Sequence, residues 1–324
     1  MRKKNISEFL LIDRIANKFG KYKNDVLKGI GDDCAVIKSN KNKYLLYTCD
    51  SLISGIHFSE KYSRPYQIGR KVAAVNISDI AAMGGQPNHC LVSLFLPEGR
   101  TEKFIDELYQ GLIEECSLYD VDIIGGNIAR SNQFIIDLFL IGEVSPQNLL
   151  LRSGAKVEDL VLVTGNLGDS AAGLKLLQNP QLNISEDKKR LISRHLTPIP
   201  RIKEAMLISK SKKATSMIDI SDGLSSDLGH ICVASQVGVK LFADKIPVSD
   251  SVKIDLALNG GEDYELCFTM PVKYAFDFSR KLEKETRTKV TVVGEIIPQR
   301  QGRWIVNGAG KKFPLKAKGW DHFL

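Results

Sequence analysis

The sequence predicts an α/β (α+β) protein of two mixed domains, and three observations carry that expectation. Strand-length apolar runs alternate with helix-spaced apolar patterns along the chain. Turn residues cluster at Ser145-Pro146-Gln147-Asn148, and a fresh strand-loop-helix unit follows them. The 324 residues also exceed the ~100–200 typical of one domain. The boundary is therefore placed between residues 1–148 and 149–324.

Taken in order, the stretch up to about Gly29 is polar and lysine-rich, and is expected to be partly mobile. Residues 44–49 form a short apolar strand. Between 66 and 83, Ile68, Val72, Val75, Ile80 and Met83 recur at helical spacing. A strand at 89–96 stops at Pro97. Thr101 caps a helix whose apolar face is Phe104, Ile105, Leu108, Leu112 and Ile113. Residues 121–124 form a strand ending in Gly125-Gly126. Residues 134–144 form another, apolar enough to be buried on both faces. The second half opens with a strand at 160–163, a glycine-rich turn at 165–169 and a helix from Ser170. Strands follow at 217–218, 239–242, 264–269 and 290–293, with helices after Asp222 and over 272–285.

Composition narrows the function. Apolar residues make up 43% of the chain, which allows a proper core and argues against global disorder. The net charge of +7 is spread over short groups such as Lys188-Lys189-Arg190, with no basic helix or RNA-binding aromatic motif, so no nucleic-acid partner is expected. No apolar run approaches 18 residues, so no membrane span is expected. Six cysteines show no zinc spacing, several lie in apolar runs, and no signal-peptide pattern is present, which together point to the cytoplasm. A Walker phosphate loop, a protein-kinase signature and a GxSxG elbow are all missing.

What the chain has instead is aspartates in short loops. Gly31-Asp32-Asp33 precedes an apolar strand, and Thr48-Cys49-Asp50 ends one. Asp79 sits in an otherwise apolar helix. Asp219-Ile220-Ser221-Asp222-Gly223 joins a strand to a helix, and Gly260-Gly261-Glu262-Asp263 precedes a strand. Any one of these could be a cap or a turn. As a set they point to a hard dication, because clustered carboxylates raise one another's pKa unless a cation neutralises them, and magnesium commonly binds through carboxylates plus substrate phosphates. The sequence thus reads as a magnesium-dependent phosphoryl-transfer enzyme.

With the segments at 51–58, 75–84 and Gly319-Trp320-Asp321-His322-Phe323, these motifs resemble the thiamine-monophosphate kinase family, in order from about residue 8 onward. The wider superfamily includes aminoimidazole ribonucleotide synthetase. The resemblance implies an N-terminal sheet that forms a barrel with its twin across a homodimer, and a C-terminal α/β domain that completes an active-site cleft. It implies ATP and thiamine monophosphate as substrates and several magnesium ions as cofactor. Asp32, Thr48, Cys49, Asp50, Asp79, Asn127, Asp219 and Asp222 would hold metal. Gly126, Asn127, Arg152 and Ser221 would contact ATP. His57, Glu262 and Trp320 would face the thiamine side. Two positions depart from the family pattern: Cys49 replaces an expected hydroxyl residue, and Asn127 stands where many members carry Asp. The alternatives are another ATP-using member of the superfamily with a different acceptor, or a nucleotide-binding protein without catalysis. A selenophosphate synthetase is disfavoured, because no reactive cysteine lies in an N-terminal glycine-rich segment.

Overall fold

The computed structural model describes residues 7–18, 21–179 and 185–320. Asp321, His322 and Phe323 lie outside the described residues. Helix α1 (Glu8–Ala16) occupies part of the polar N-terminal stretch. Next come β1 (Val26–Lys28), β2 (Ala35–Asn40), β3 (Lys43–Ile53), α2 (Pro65–Ala82), β4 (Gln86–Leu96), α3 (Glu102–Leu118), β5 (Asp122–Arg130) and β6 (Ile135–Val144). These strands make one six-stranded sheet in the order β1-β2-β3-β6-β4-β5. Only the β4–β5 pair is parallel.

After the 3₁₀ turn Pro146–Asn148 come β7 (Asp159–Thr164), α4 (Asp169–Gln178), α5 (Glu186–Leu196), α6 (Ile202–Ser211), β8 (Ser216–Asp219), α7 (Leu224–Ala234) and β9 (Val237–Phe242). They are followed by α8 (Ile254–Asn259), β10 (Leu266–Pro271), α9 (Val272–Thr286), β11 (Val290–Pro298), β12 (Arg303–Val306) and β13 (Lys312–Pro314). The second sheet runs β13-β12-β9-β11-β7-β10-β8. Both halves are thus mixed α/β, as the sequence predicts.

Helix α2 positions the site. Thirteen of its 18 residues are buried, because it is covered on both sides. Its N-terminal part packs on α3, one flank packs under β3 and β6, and the other meets α6 and β8 of the second half. Val75, Ile80 and Met83 join Ile208, Met217 and Phe268 in one continuous core. The two helices approach closely through glycines. A Cβ on Gly69 would come within 2.0 Å of the Leu108 carbonyl oxygen, and one on Gly111 within 1.9 Å of the Tyr66 carbonyl oxygen. Thr101 caps α3 as expected, its hydroxyl accepting from the Phe104 N–H at 3.2 Å.

Two expectations change. The strand expected to end at Gly125-Gly126 continues through both glycines to Arg130. Gly126 crosses so close to β4 that a Cβ would lie 1.9 Å from the Val92 carbonyl oxygen, so glycine here permits pairing rather than ending it. Strand β6 is not buried on both faces: buried and half-buried residues alternate along it, because helices cover only one side of its sheet. Among the described residues the N-terminal sheet is open, with β1 and β5 at its edges, so a barrel would need a second copy of the chain.

Because the α2–α3 contact has no room for a methyl group, Gly111→Ala is expected to lower unfolding free energy by about 1–3 kcal/mol, read as a lower urea midpoint. An unchanged midpoint would contradict the tight crossing.

Candidate active site

The expected carboxylates converge where the two halves meet. Asp32 and Asp33 come from the loop before β2, Asp79 from α2 and Asp219 from the end of β8. Asp33, Asp79 and Asp219 each place an oxygen within 4.8 Å of the others. Asp33 belonged to the motif but not to the expected ligand set, and it proves more central than Asp32.

Hydroxyls and amides hold this cluster in place. The Thr48 hydroxyl donates to Asp79, and the Ser78 hydroxyl donates to Asp219 at 2.5 Å across the seam. The buried Asn76 side chain accepts from the Asp50 N–H at 2.9 Å and donates to the Val72 carbonyl at 2.9 Å, which fixes β3 against α2. Arg152 reaches Asp33 Oδ1 with Nη2 at 2.6 Å and Nε at 3.2 Å, while its backbone N–H donates to Asp32 at 3.1 Å. Lys28 lies 3.4 Å from Asp32. These cations do not balance the cluster. Asp33 Oδ2 is buried with no hydrogen-bond partner. Burial and the neighbouring Asp33 push Asp32 up to about 6. Burial and Asp33 push Asp219 up to about 7. Burial, Asp50 and Asp219 hold Asp79 well above the usual carboxylate range. A buried carboxylate oxygen without a donor, in an all-oxygen set, fits a hard divalent cation.

The strand-to-helix turn at 219–223 supplies a second layer. Asp227, one turn into α7, accepts from the Asp222 and Gly223 N–H groups at 3.2 and 3.0 Å, so an internal carboxylate occupies this helix start. Gly223 takes φ +110°, which a side chain would oppose. The Ser221 carbonyl accepts from the Glu262 N–H at 2.7 Å, and the Asp222 carbonyl accepts from the Trp320 N–H at 3.3 Å. Ser221, Asp222, Glu262 and the half-exposed Trp320 are thereby gathered beside the carboxylates. Glu262 and Tyr264 both have positive φ, at 66° and 50°. Such strain costs about 1–3 kcal/mol per residue and persists only where surrounding structure enforces it. His57 joins from the 53–58 turn. Its Nδ1 accepts from the Ile53 N–H at 3.0 Å.

Three expected residues do not join within one chain. Cys49 points to the opposite face of β3, because side chains alternate along a strand and Thr48 is the one facing α2. Gly126 shares a cross-sheet row with Asp50, through Leu138 and Val92, but lies three strands away, about 14 Å at normal strand spacing. Asn127 lies in the neighbouring row with Ser93, Asp137 and Ser51, on the face turned away from α2. The Gly165–Ser170 turn is not a phosphate cradle either: the N–H groups of Gly168 and Ser170 donate to buried Asp263 at 2.6 and 3.1 Å.

Two family models match the chain, the AIR synthase related protein N-terminal domain over residues 31–144 and its C-terminal domain over 156–307. A thiamine-monophosphate kinase of Buchnera aphidicola subsp. Acyrthosiphon pisum is 40% identical, covering 98% of this chain and 99% of the relative. The chain belongs to the thiamine-monophosphate kinase family. The Escherichia coli thiamine-monophosphate kinase is 37% identical, with 98% of each chain covered. A solved structure described as AaThiL complexed with AMPPCP and TMP superposes with a TM-score of 0.86 at 35% identity, covering 100% of this chain and 99% of that one. Among the described residues, no helix is long and apolar enough to cross a membrane.

The raised carboxylates predict a linkage. A group whose folded pKa exceeds its unfolded value contributes stability below the unfolded pKa, and that contribution is lost as pH rises through the folded one. Without divalent metal, the melting temperature should therefore fall between pH 5 and pH 8, through the values near 6 and 7 of Asp32 and Asp219. Magnesium should raise it more at pH 8 than at pH 5, and Asp219→Asn should flatten the metal-free profile. A metal-free profile identical in wild type and variant would refute the assignment.

Proposed function

We propose that this chain transfers the γ-phosphoryl group of ATP to thiamine monophosphate, giving thiamine diphosphate and ADP. The observation that carries the reading is the juxtaposition at the seam. The unbalanced carboxylates Asp33, Asp79 and Asp219 adjoin a second group, Ser221, Asp222, Glu262 and Trp320, suited to an organic cation bearing a phosphate. The full-length likeness to a structure complexed with AMPPCP and TMP supports both substrates.

Asp32, Asp33, Asp50, Asp79, Asp219 and Asp222, with Thr48 holding Asp79, would bind magnesium. Bound there, magnesium neutralises the meeting phosphates and favours in-line transfer. The protein's part is positioning. A phosphate monoester, with a second pKa near 6, is largely dianionic at neutral pH, so its oxygen attacks without a general base. Arg152, half-buried and forked onto Asp33, would turn toward the nucleotide phosphates, with Ser221 beside them. Trp320 offers an aromatic face to the thiazolium cation. His57 would approach the same substrate from its turn.

We also propose a homodimer. The face of the N-terminal sheet turned away from α2 carries half-exposed Tyr47, Phe139 and Ile141 and exposed Leu91, and exposed Ile124 and Ile128 lie on its open edge. Such an apolar face beside an open edge suits a second copy of the same chain. Cys49 and Asn127 share that face, so any role for them belongs to the dimer. Residues 1–148 would then bind nucleotide and dimerise, and residues 149–324 would complete the cleft.

Purified protein with ATP, magnesium and thiamine monophosphate should yield thiamine diphosphate one-for-one with ADP. ATP consumption without that product would point to another acceptor. Asp50→Asn and Asp222→Asn should each lower kcat by about 100-fold or more, the scale of losing one electrostatic contact to the transition state, with little change in melting temperature. Leu91→Asp with Ile128→Asp should halve the mass seen by light scattering, whereas an unchanged mass would remove this face as the interface.

A further inference from the structure

The proposed substrate carboxylate, Glu262, is held by two side chains that the sequence motifs do not single out. Lys71 lies in α2 between Arg70 and Val72, with its side chain only 3% exposed. Its Nζ sits 2.7 Å from Glu262 Oε1 and donates to the His57 carbonyl at 3.1 Å. The other carboxylate oxygen, Oε2, lies 3.2 Å from Nδ1 of His195, whose side chain is 3% exposed. That nitrogen is in turn 3.1 Å from the Ser170 hydroxyl. Lys71 belongs to the first half of the chain, and Glu262, His195 and Ser170 to the second, so the network closes across the seam. One ammonium also ties the His57 turn to the Glu262 loop, two segments of the proposed thiamine side.

A buried lysine is costly to desolvate and is retained only with a partner. As a structural bridge alone, this pair could sit anywhere along the seam. Instead it ends on a residue with φ +66° whose side chain remains 24% exposed, in the loop that meets Ser221. We infer that Lys71, assisted by His195, is a positioning residue for substrate recognition: it neutralises Glu262 and fixes both its oxygens, so that the carboxylate meets the thiamine moiety as an oriented hydrogen-bond acceptor rather than as a free counter-ion. The inference rests on the functional reading above. A substrate N–H donor, such as the aminopyrimidine of thiamine, is the group this acceptor suits. The cationic ring is left to the aromatic face of Trp320. Burial opposes ionisation of Glu262, yet Lys71 and His195 together hold it down at about 2, so it stays a carboxylate at any working pH.

A double-mutant cycle on affinity tests this. Thiamine monophosphate would be titrated calorimetrically into wild type, Lys71→Met, Glu262→Gln and the double variant, with an ATP analogue as control ligand. The first expected result is that Lys71→Met weakens thiamine monophosphate about 10-fold or more, the scale of a lost charge-assisted contact. The second is that the ATP analogue is unaffected, Lys71→Arg recovers part of the loss, and the double variant binds no worse than Glu262→Gln. Losses that multiply in the double variant, equal losses for both ligands, or unchanged affinity in Lys71→Met would overturn the inference. If Lys71→Met does not fold, His195→Gln takes its place in the same cycle and is judged by the same criteria. The readout is binding, so it also separates the two readings. Wild type that binds thiamine monophosphate without making thiamine diphosphate counts against the reaction and leaves the cycle decisive. Wild type that does not bind it overturns both.

Discussion

Asp33, Asp79 and Asp219 place carboxylate oxygens within 4.8 Å of one another in a largely water-excluded seam, and no full complement of cations faces them. Like charges that close repel by several kcal/mol at the effective dielectric of a protein interior. The surrounding structure has to hold them together regardless. It does so with a double-faced helix, two hydroxyl donors and one arginine fork. The price is carboxylates that resist ionisation, so any affinity for a divalent cation is a property of the fold rather than of a single side chain.

Helix α2 carries most of that constraint. Because one flank lies under the N-terminal sheet and the other against α6 and β8, its buried polar residues must find partners on both sides. Asn76 turns toward β3, Ser78 toward Asp219, Asp79 toward Thr48 and Lys71 toward Glu262. The same burial that costs free energy at each of these positions therefore aligns the two halves. Lys71 and the Ser78–Asp219 pair serve that alignment from the same helix, so the carboxylate cluster and the Glu262 loop are registered to one rigid element.

Two helix starts show how the protein reserves its anion sites. Asp263 occupies the N-terminus of α4, and Asp227 that of α7, each accepting two backbone N–H groups. Both spots would otherwise attract phosphate. With those donors already taken, a phosphate group is left to cations, which suits a site that handles two anionic substrates at once.

Much of this was legible in the sequence. Helical spacing located α2 and α3, strand-length apolar runs located most of both sheets, and the aspartate loops marked the site, because each signal is local and set by backbone periodicity or turn chemistry. The six-residue turn at 165–170 could also be read as a simple turn, since its Asp169 argued against an anion. Other features were not local. Asp33 rather than Asp32 became central because of the direction in which one loop faces. Cys49 fell away from the cluster by strand parity, and Gly126 and Asn127 by strand order, neither of which a motif records. His195, Asp227 and Asn76 are ordinary in sequence and acquire meaning only from their neighbours. Lys71 left little trace, because beside Arg70 it reads as one more surface charge. The sequence alone therefore determined many of the elements, the acidic character of the site and the class of reaction. Only the tertiary structure decided which carboxylates meet and what holds Glu262, because those outcomes depend on long-range packing of α2 between two sheets.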